Sequence, residues 1–217
     1  MEIVEVKFGE WFDEGFTLYK ENFGLLVLSS LVFCLLSGIT FGILLGPMMA
    51  GLVLIIFGLV DKSDPEPGVG IIFKGFDFFV QSFLLCLVWG LAIIIGSIVL
   101  SFIPVLGQLA SLFGSYALQA LLMFAMFLIV DKKMDFWTAS MESMNRVKTN
   151  FWPFLGLFAV TAIISSAGAI ACGIGIIFTI PIQFCILTVA YKDVYSAIQT
   201  DAPIIEDSPA DQEETNQ

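Results

Sequence analysis

Residues 78–130 read FFVQSFLLCLVWGLAIIIGSIVLSFIPVLGQLASLFGSYALQALLMFAMFLIV, 53 positions with no charged side chain between Asp77 and Asp131. A membrane-spanning helix takes about 20 apolar residues. The stretch is too long for one span and suits two joined by a tight turn. Ile103-Pro104-Val105-Leu106-Gly107-Gln108 offers that turn, because proline and glycine break helices between apolar runs. Two more uncharged windows flank it, 39 residues between Glu21 and Asp61 and 43 between Lys148 and Lys192. In the later one Ala171-Cys172-Gly173-Ile174-Gly175 is the expected turn.

The first window fits least well. Its break falls between Gly38 and Pro47, which leaves spans of roughly 17–18 residues, near 26 Å at 1.5 Å per residue, against a hydrocarbon core of about 30 Å. Local thinning or an inward extension from an interfacial segment would close the gap. A broken or re-entrant first block, with four or five spans in total, is the competing reading. The expected fold is an all-α membrane protein, six transmembrane helices as three hairpins with amphipathic interfacial helices. Spans are expected at about 22–42, 44–60, 80–102, 108–130, 151–171 and 175–194, after an amphipathic interfacial segment over 1–21.

Composition leads to the same place. The 217 residues are 58% hydrophobic before 19 glycines are added, and 13% are charged. Soluble domains hold roughly 45–50% apolar residues with glycine included, and a single core of this size cannot hide the excess. The net charge of −11 argues against nucleic acid as a partner, since phosphate binding needs a clustered basic surface. Six of the 20 acids lie in Asp201–Gln217, which carries no base. The acidic end, 199–217, is expected to be disordered.

All nine basic residues fall on one side of the three-hairpin arrangement: Lys7, Lys20, Lys62, Lys74, Lys132, Lys133, Arg146, Lys148 and Lys192. Positive residues mark the cytoplasmic side, so both termini are expected in the cytoplasm. The start MEIVEVKFGE is acidic with no apolar h-region, so insertion is expected to rely on the first span.

The hairpins share a grammar. Phe8, Phe12, Phe16, Tyr19 and Phe23 recur at helical spacing before the first. Phe73, Phe76, Val80 and Phe83 do so before the second, and Trp137, Met141, Met144, Val147 and Phe151 before the third. Such spacing makes one apolar face, suited to the headgroup boundary. Trp11, Lys20, Trp137, Lys148 and Trp152 are the expected interfacial anchors. Lys20-Glu21-Asn22-Phe23 and Lys148-Thr149-Asn150-Phe151 enter the first and third hairpins with the same lysine, asparagine and phenylalanine. Duplication and the common demands of an interface explain this equally well.

Gly38, Gly42, Gly46, Pro47 and Gly51 form the expected helix-packing motif, because small residues four apart let backbones approach in lipid. Packing within the chain, formation of the hairpin turn and self-association are its three readings. Gln119 and Gln183 are intramembrane amides that need partners, so they are expected to face the bundle interior. They serve either as interhelical hydrogen bonds or as the lining of a polar path. Pro181 is expected to kink the last helix.

Catalysis fails on inventory. The chain has no histidine, which an intramembrane serine protease and most catalytic zinc sites need. Every acid lies outside the spans, which removes an intramembrane aspartyl dyad and carboxylate-based ion coupling. Cys34, Cys86, Cys172 and Cys185 stand alone in apolar stretches and are read as packing residues. No cofactor, metal site or catalytic residue is expected.

Several short motifs carry a family resemblance: Gly46-Pro47-Met48-Met49-Ala50-Gly51, Phe73-Lys74-Gly75-Phe76, Val130-Asp131-Lys132 and Ala190-Tyr191-Lys192-Asp193. Over about residues 8–195 the chain resembles small prokaryotic polytopic membrane proteins of unknown function. It is similar also to the membrane domain fused to some glycerophosphodiester phosphodiesterases. The resemblance implies six spans in a prokaryotic plasma membrane and supplies no activity. The expected role is a non-enzymatic structural or partner-binding membrane component, with lipid, a membrane or cytoplasmic protein, or a second copy as partners. A permease for a lipid or other hydrophobic small molecule is the alternative.

Overall fold

The computed structural model describes residues 7–103, 105–170 and 175–201, and all regular structure among them is helical. Helices α1 (Phe8–Glu21), α2 (Phe23–Ile39) and α3 (Leu45–Val60) are followed by a 3-10 helix, Val69–Phe78. Then come α4 (Phe79–Ser101), α5 (Leu106–Leu121), α6 (Ala125–Lys132), α7 (Phe136–Thr149), α8 (Phe151–Ile170) and α9 (Ile176–Asp201). Pro104, most of the expected turn at 171–175 and the end of the acidic tail lie outside the described residues.

Among the described residues, three stretches are long and apolar enough to cross a membrane: Val69–Ser101, Leu106–Lys132 and Ile176–Ser196. Counting each of two sharply bent pairs as one span raises the number to five. The remaining apolar helix, α3, has 16 residues, below the length that spans a bilayer unaided. Its position explains its composition. Met48, Ala50, Leu52, Val53, Ile55 and Ile56 are all fully buried, so α3 is apolar on every side because protein surrounds it. α4 shows the opposite case, an apolar helix whose Leu91, Ile94, Ile95, Ile98 and Val99 face outward.

Glycine sets the closest approach to α3. A side chain at Gly51 would strike the carbonyl oxygen of Ile72, and one at Gly75 would strike that of Pro47. Gly46 meets the Ser82 backbone in the same way. The 3-10 helix can therefore lie against α3 backbone to backbone. The glycine motif divides here. Gly46, Pro47 and Gly51 are packed, whereas Gly38 has nothing within 4 Å. Gly42 also meets nothing and has φ +87°, a conformation that favours glycine in a reversal. The packing expectation is thus corrected for Gly38 and Gly42, one open and the other a turn residue.

The paired entry motifs are corners. α1 and α2 meet at 88° around Asn22, and α7 and the following helix meet at 109° around Asn150. The Asn22 backbone N–H (3.2 Å) and its side-chain Nδ2 (3.0 Å) both donate to Leu18 O. That arrangement closes the end of α1 and frees the next residue to turn. Both preceding helices have 14 residues. The three buried positions of α1, Trp11, Gly15 and Tyr19, answer Ala139, Ser143 and Val147 on α7, which buries Ser140 and Met144 as well. The middle unit lacks the corner, and its 3-10 helix runs directly into α4.

Candidate functional site

Three of the charged residues that bound the apolar windows, Asp61, Asp131 and Lys192, meet on one segment of α9. Tyr191 donates its hydroxyl to Asp131 Oδ2 at 2.8 Å, and Lys192 pairs with Asp61 at 2.9 Å. Trp11 Nε1 donates to Asp193 Oδ2 at 3.0 Å, and Arg146 donates to Val194 O at 3.3 Å. Lys132 lies 4.9 Å above the Tyr195 ring. The ends of α3 and α6, the start of α1 and the last turn of α7 are thereby tied to residues 191–195. Beneath them an aromatic cluster joins Phe57, Phe124, Phe127, Phe154, Tyr191 and Tyr195, with Phe127 stacked on Tyr191 at 5.4 Å.

Next to this cluster lies a cavity of about 350 Å³. Leu45 and Met49 of α3, Leu85, Cys86, Trp89, Gly90 and Ile93 of α4, and Gln119 of α5 form one side. Leu122 and Met123 at the α5–α6 break, Met126 and Phe127 of α6, Phe158 of α8 and Gln183, Phe184 and Leu187 of α9 complete it. None of these residues is charged. Leu85, Met123, Met126, Phe127 and Leu187 are buried and make the floor, while Leu45 and Gln119 are exposed and mark the mouth. The floor residue Phe127 belongs also to the aromatic cluster, so rings separate the cavity from the charged segment.

The structure brings the two expected intramembrane amides to this one cavity from different helices. Gln183 Oε1 accepts from Ser165 Oγ at 2.7 Å, an interhelical bond between α9 and α8. Gln119 Nε2 donates to Ser115 O at 3.3 Å within its own helix, and the residue is exposed rather than interior. The expectation of an inward Gln119 is corrected accordingly, because α5 is peripheral and only Gly107 and Ala120 on it are buried.

The expected anchors separate into two kinds. Trp11 is 2% exposed, stacks on Phe154 and commits its N–H to Asp193, so it is a core residue and not an interfacial one. Trp152 is 78% exposed, Trp137 is exposed while stacking on Trp89, and Lys20 covers the Phe16 ring at 4.4 Å. Lys148 is exposed on the last turn of α7.

Two residues that sequence reasoning passed over hold the cavity wall. The α5–α6 break leaves Leu121 O and Phe124 N–H outside the helical ladder. Ser143 Oγ donates to Leu121 O at 2.7 Å and accepts from Phe124 N at 3.2 Å, so both are satisfied in a setting where orphaned backbone groups are costly. One turn away, Trp89 Nε1 donates to Ser140 Oγ at 2.9 Å. Small hydroxyls on an otherwise amphipathic helix were the available signal. No family model, no curated protein and no solved structure matches the chain.

Proposed function

We propose that the chain is a non-enzymatic integral membrane protein of a prokaryotic plasma membrane, with six spans in three hairpins and both termini cytoplasmic. The observation that carries this reading is the outward surface of the α4–α5 hairpin. Ile94, Ile98, Leu109, Leu112 and Phe113 all face away from the protein, a contiguous apolar display suited to lipid and hostile to water. The gathering of Asp61, Asp131, Lys192 and Asp193 around one stretch of α9 supports a single polar end. In this reading the bilayer is the first partner, and the exposed face of α7 with Trp137, Met141 and Lys148 is offered to headgroups or to a membrane or cytoplasmic protein.

Reporter fusions test the topology. Fusions after Gly46, Gly107 and Gly175 should report the outer side, and fusions after Lys62, Lys133 and Lys192 the inner side. Opposite signs within any one of these sets would end the six-span arrangement.

The cavity favours a second reading, a permease for a lipid or other hydrophobic molecule. Gln119 and Gln183 meeting at one apolar space is its supporting observation. Single cysteines placed at these positions in a background free of native cysteines would react with a water-soluble maleimide along a permeation path. A purely structural pair would stay unlabelled at 183.

A further inference from the structure

We infer that the cavity walled by α3, α4, the α5–α6 break and α9 binds a single apolar chain carrying one carbonyl acceptor, held by the amides of Gln119 and Gln183. The inference rests on the membrane-embedded reading above and names the ligand class that the cavity would take.

Three properties of the cavity lead there. The first is size: about 350 Å³ accommodates on the order of ten methylene-sized groups, taking roughly 30 Å³ for each as for a water. That is one medium-length chain and not a pair. The second is the wall. Met49, Met123 and Met126, with Trp89 and Phe127, present polarizable and adaptable surfaces that fit irregular apolar guests. With no charged lining residue, nothing there compensates an ionised headgroup, whose burial unpaired is costly. The third is the hydrogen-bonding sense of the amides. Gln183 commits one lone pair of its carbonyl to the Ser165 hydroxyl and keeps both of its N–H groups. Gln119 commits one of its two N–H groups to Ser115 O. Gln183 thus keeps two N–H groups and Gln119 one, three donors free for a ligand that accepts, such as an ester or a quinone-like carbonyl. Gln119 stands at the exposed mouth and the apolar floor lies behind it. The carbonyl would rest near the entrance with the chain directed toward Phe127.

Photolabelling tests this on the full chain in vesicles. The probe is a medium-chain fatty acid methyl ester with a terminal diazirine, followed by mass mapping of the adducts. Adducts are expected on the Met123–Met126 segment, besides background adducts on lipid-facing Ile94, Ile98 and Phe113. Gly90 lines the cavity and has nothing within 4 Å of its would-be side chain, so Gly90→Phe fills the space without a backbone clash. It should cut the Met123–Met126 adducts by about tenfold and leave the lipid-facing ones unchanged. Gln119→Leu with Gln183→Leu should weaken ester labelling by roughly tenfold, the worth of one or two lost hydrogen bonds, without altering labelling by a diazirine hydrocarbon lacking the carbonyl. Adducts confined to lipid-facing residues would overturn the site while leaving the membrane reading intact. Absence of lipid-facing adducts as well would remove both. A phosphatidylcholine probe that labels Met123–Met126 as strongly as the ester would overturn the single-chain assignment.

Discussion

α1 with its corner into α2, and α7 with its corner into α8, are the same device built from different residues. Each is a 14-residue helix that turns sharply at an asparagine, and each buries the same three positions. What lies beneath them differs. α1 sets Trp11 and Tyr19 around Gly15 and packs on a continuous helix, α9, with Gly15 against the Ile186 backbone. α7 sets Ala139 and Val147 around Ser143 and packs on a broken one. The central residue follows the partner: a glycine where an intact backbone must come close, a serine where an interrupted backbone needs a donor and an acceptor. The comparison teaches that the corner is the repeated unit and that its central residue is tuned to the surface it meets.

The largest effect that tests this contrast is Ser143→Ala. It removes both partners of the α5–α6 break, and each buried backbone group left unpaired costs about 1–3 kcal/mol. Thermal unfolding in detergent should show a clear loss of stability, and the adducts or cysteine reactivity of the neighbouring cavity wall should change with it. A variant as stable as the parent would mean that the break is satisfied some other way and that α7 does not differ from α1 in kind.

Gly15→Ala tests the α1 side. The added methyl would lie 2.7 Å from Ile186 Cα and 2.9 Å from its nitrogen, so the two helices must separate. Overpacking of this sort costs about 1–3 kcal/mol. Gly9, on the same helix with nothing within 4 Å, supplies the control. Gly9→Ala should be neutral or stabilising by up to about 1 kcal/mol, because alanine is the better helix former. Equal losses from both substitutions would point to a general intolerance of α1 and not to a contact at Gly15.

Much of this is legible in the sequence, and the remainder fails for identifiable reasons. The uncharged windows and the matching Lys-x-Asn-Phe entries mark where helices and corners lie, since charge and local hydrogen bonding are written residue by residue. The aromatic period Phe8-Phe12-Phe16-Tyr19-Phe23 reads as one lipid-facing stripe, yet Phe8, Phe16 and Phe23 are exposed while Trp11, Gly15 and Tyr19 are buried. Periodicity finds a face but cannot tell lipid from protein, because both reward the same apolar atoms. Leu121 to Met126 contains no glycine, proline or charge, so nothing local announces the break. It depends on a serine 22 residues further along from Leu121. Gln119 and Gln183 stand out as polar residues in apolar runs, but their meeting at one cavity is a product of tertiary packing.

Trp11→Phe probes the buried edge of α1 more gently. Phenylalanine keeps most of the ring area and the stack on Phe154, and loses the N–H donated to Asp193. The carboxylate is partly exposed and also near Lys7 at 3.6 Å, so water and that lysine soften the loss to on the order of 1 kcal/mol. At the matching position 139 α7 has an alanine, and its own bond to this segment of α9 comes from Arg146, which donates to Val194 O. Ala139→Gly should show the helix-propensity cost together with that of one buried methyl. No loss of stability in Trp11→Phe would show that the bond to Asp193 does not help to fasten α1 to α9.

The smallest effect separates the two helices at their first turns. α7 begins at Asp135, whose Oδ2 accepts from Trp137 N at 3.1 Å and Thr138 N at 3.0 Å, while Lys7 before α1 gives no side-chain cap. Hydrogen bonding from the Thr138 side chain, and then from its backbone, holds the Asp135 carboxyl below the usual carboxylate range. A carboxylate whose folded pKa is depressed adds stability above its unfolded value, and that stability disappears as the pH falls through the folded one. Acidification should then loosen the first turn of α7 and leave the first turn of α1 without a matching cap-linked change. Asp135→Asn puts in place of the carboxylate an amide that caps about as well but does not titrate in this range. Amide exchange at Thr138 should accordingly agree between the two proteins near neutral pH and diverge in acid, with only the parent losing protection. Parallel acid profiles would show that the cap contributes nothing to the difference between the helices, which would then lie wholly in Gly15 and Ser143.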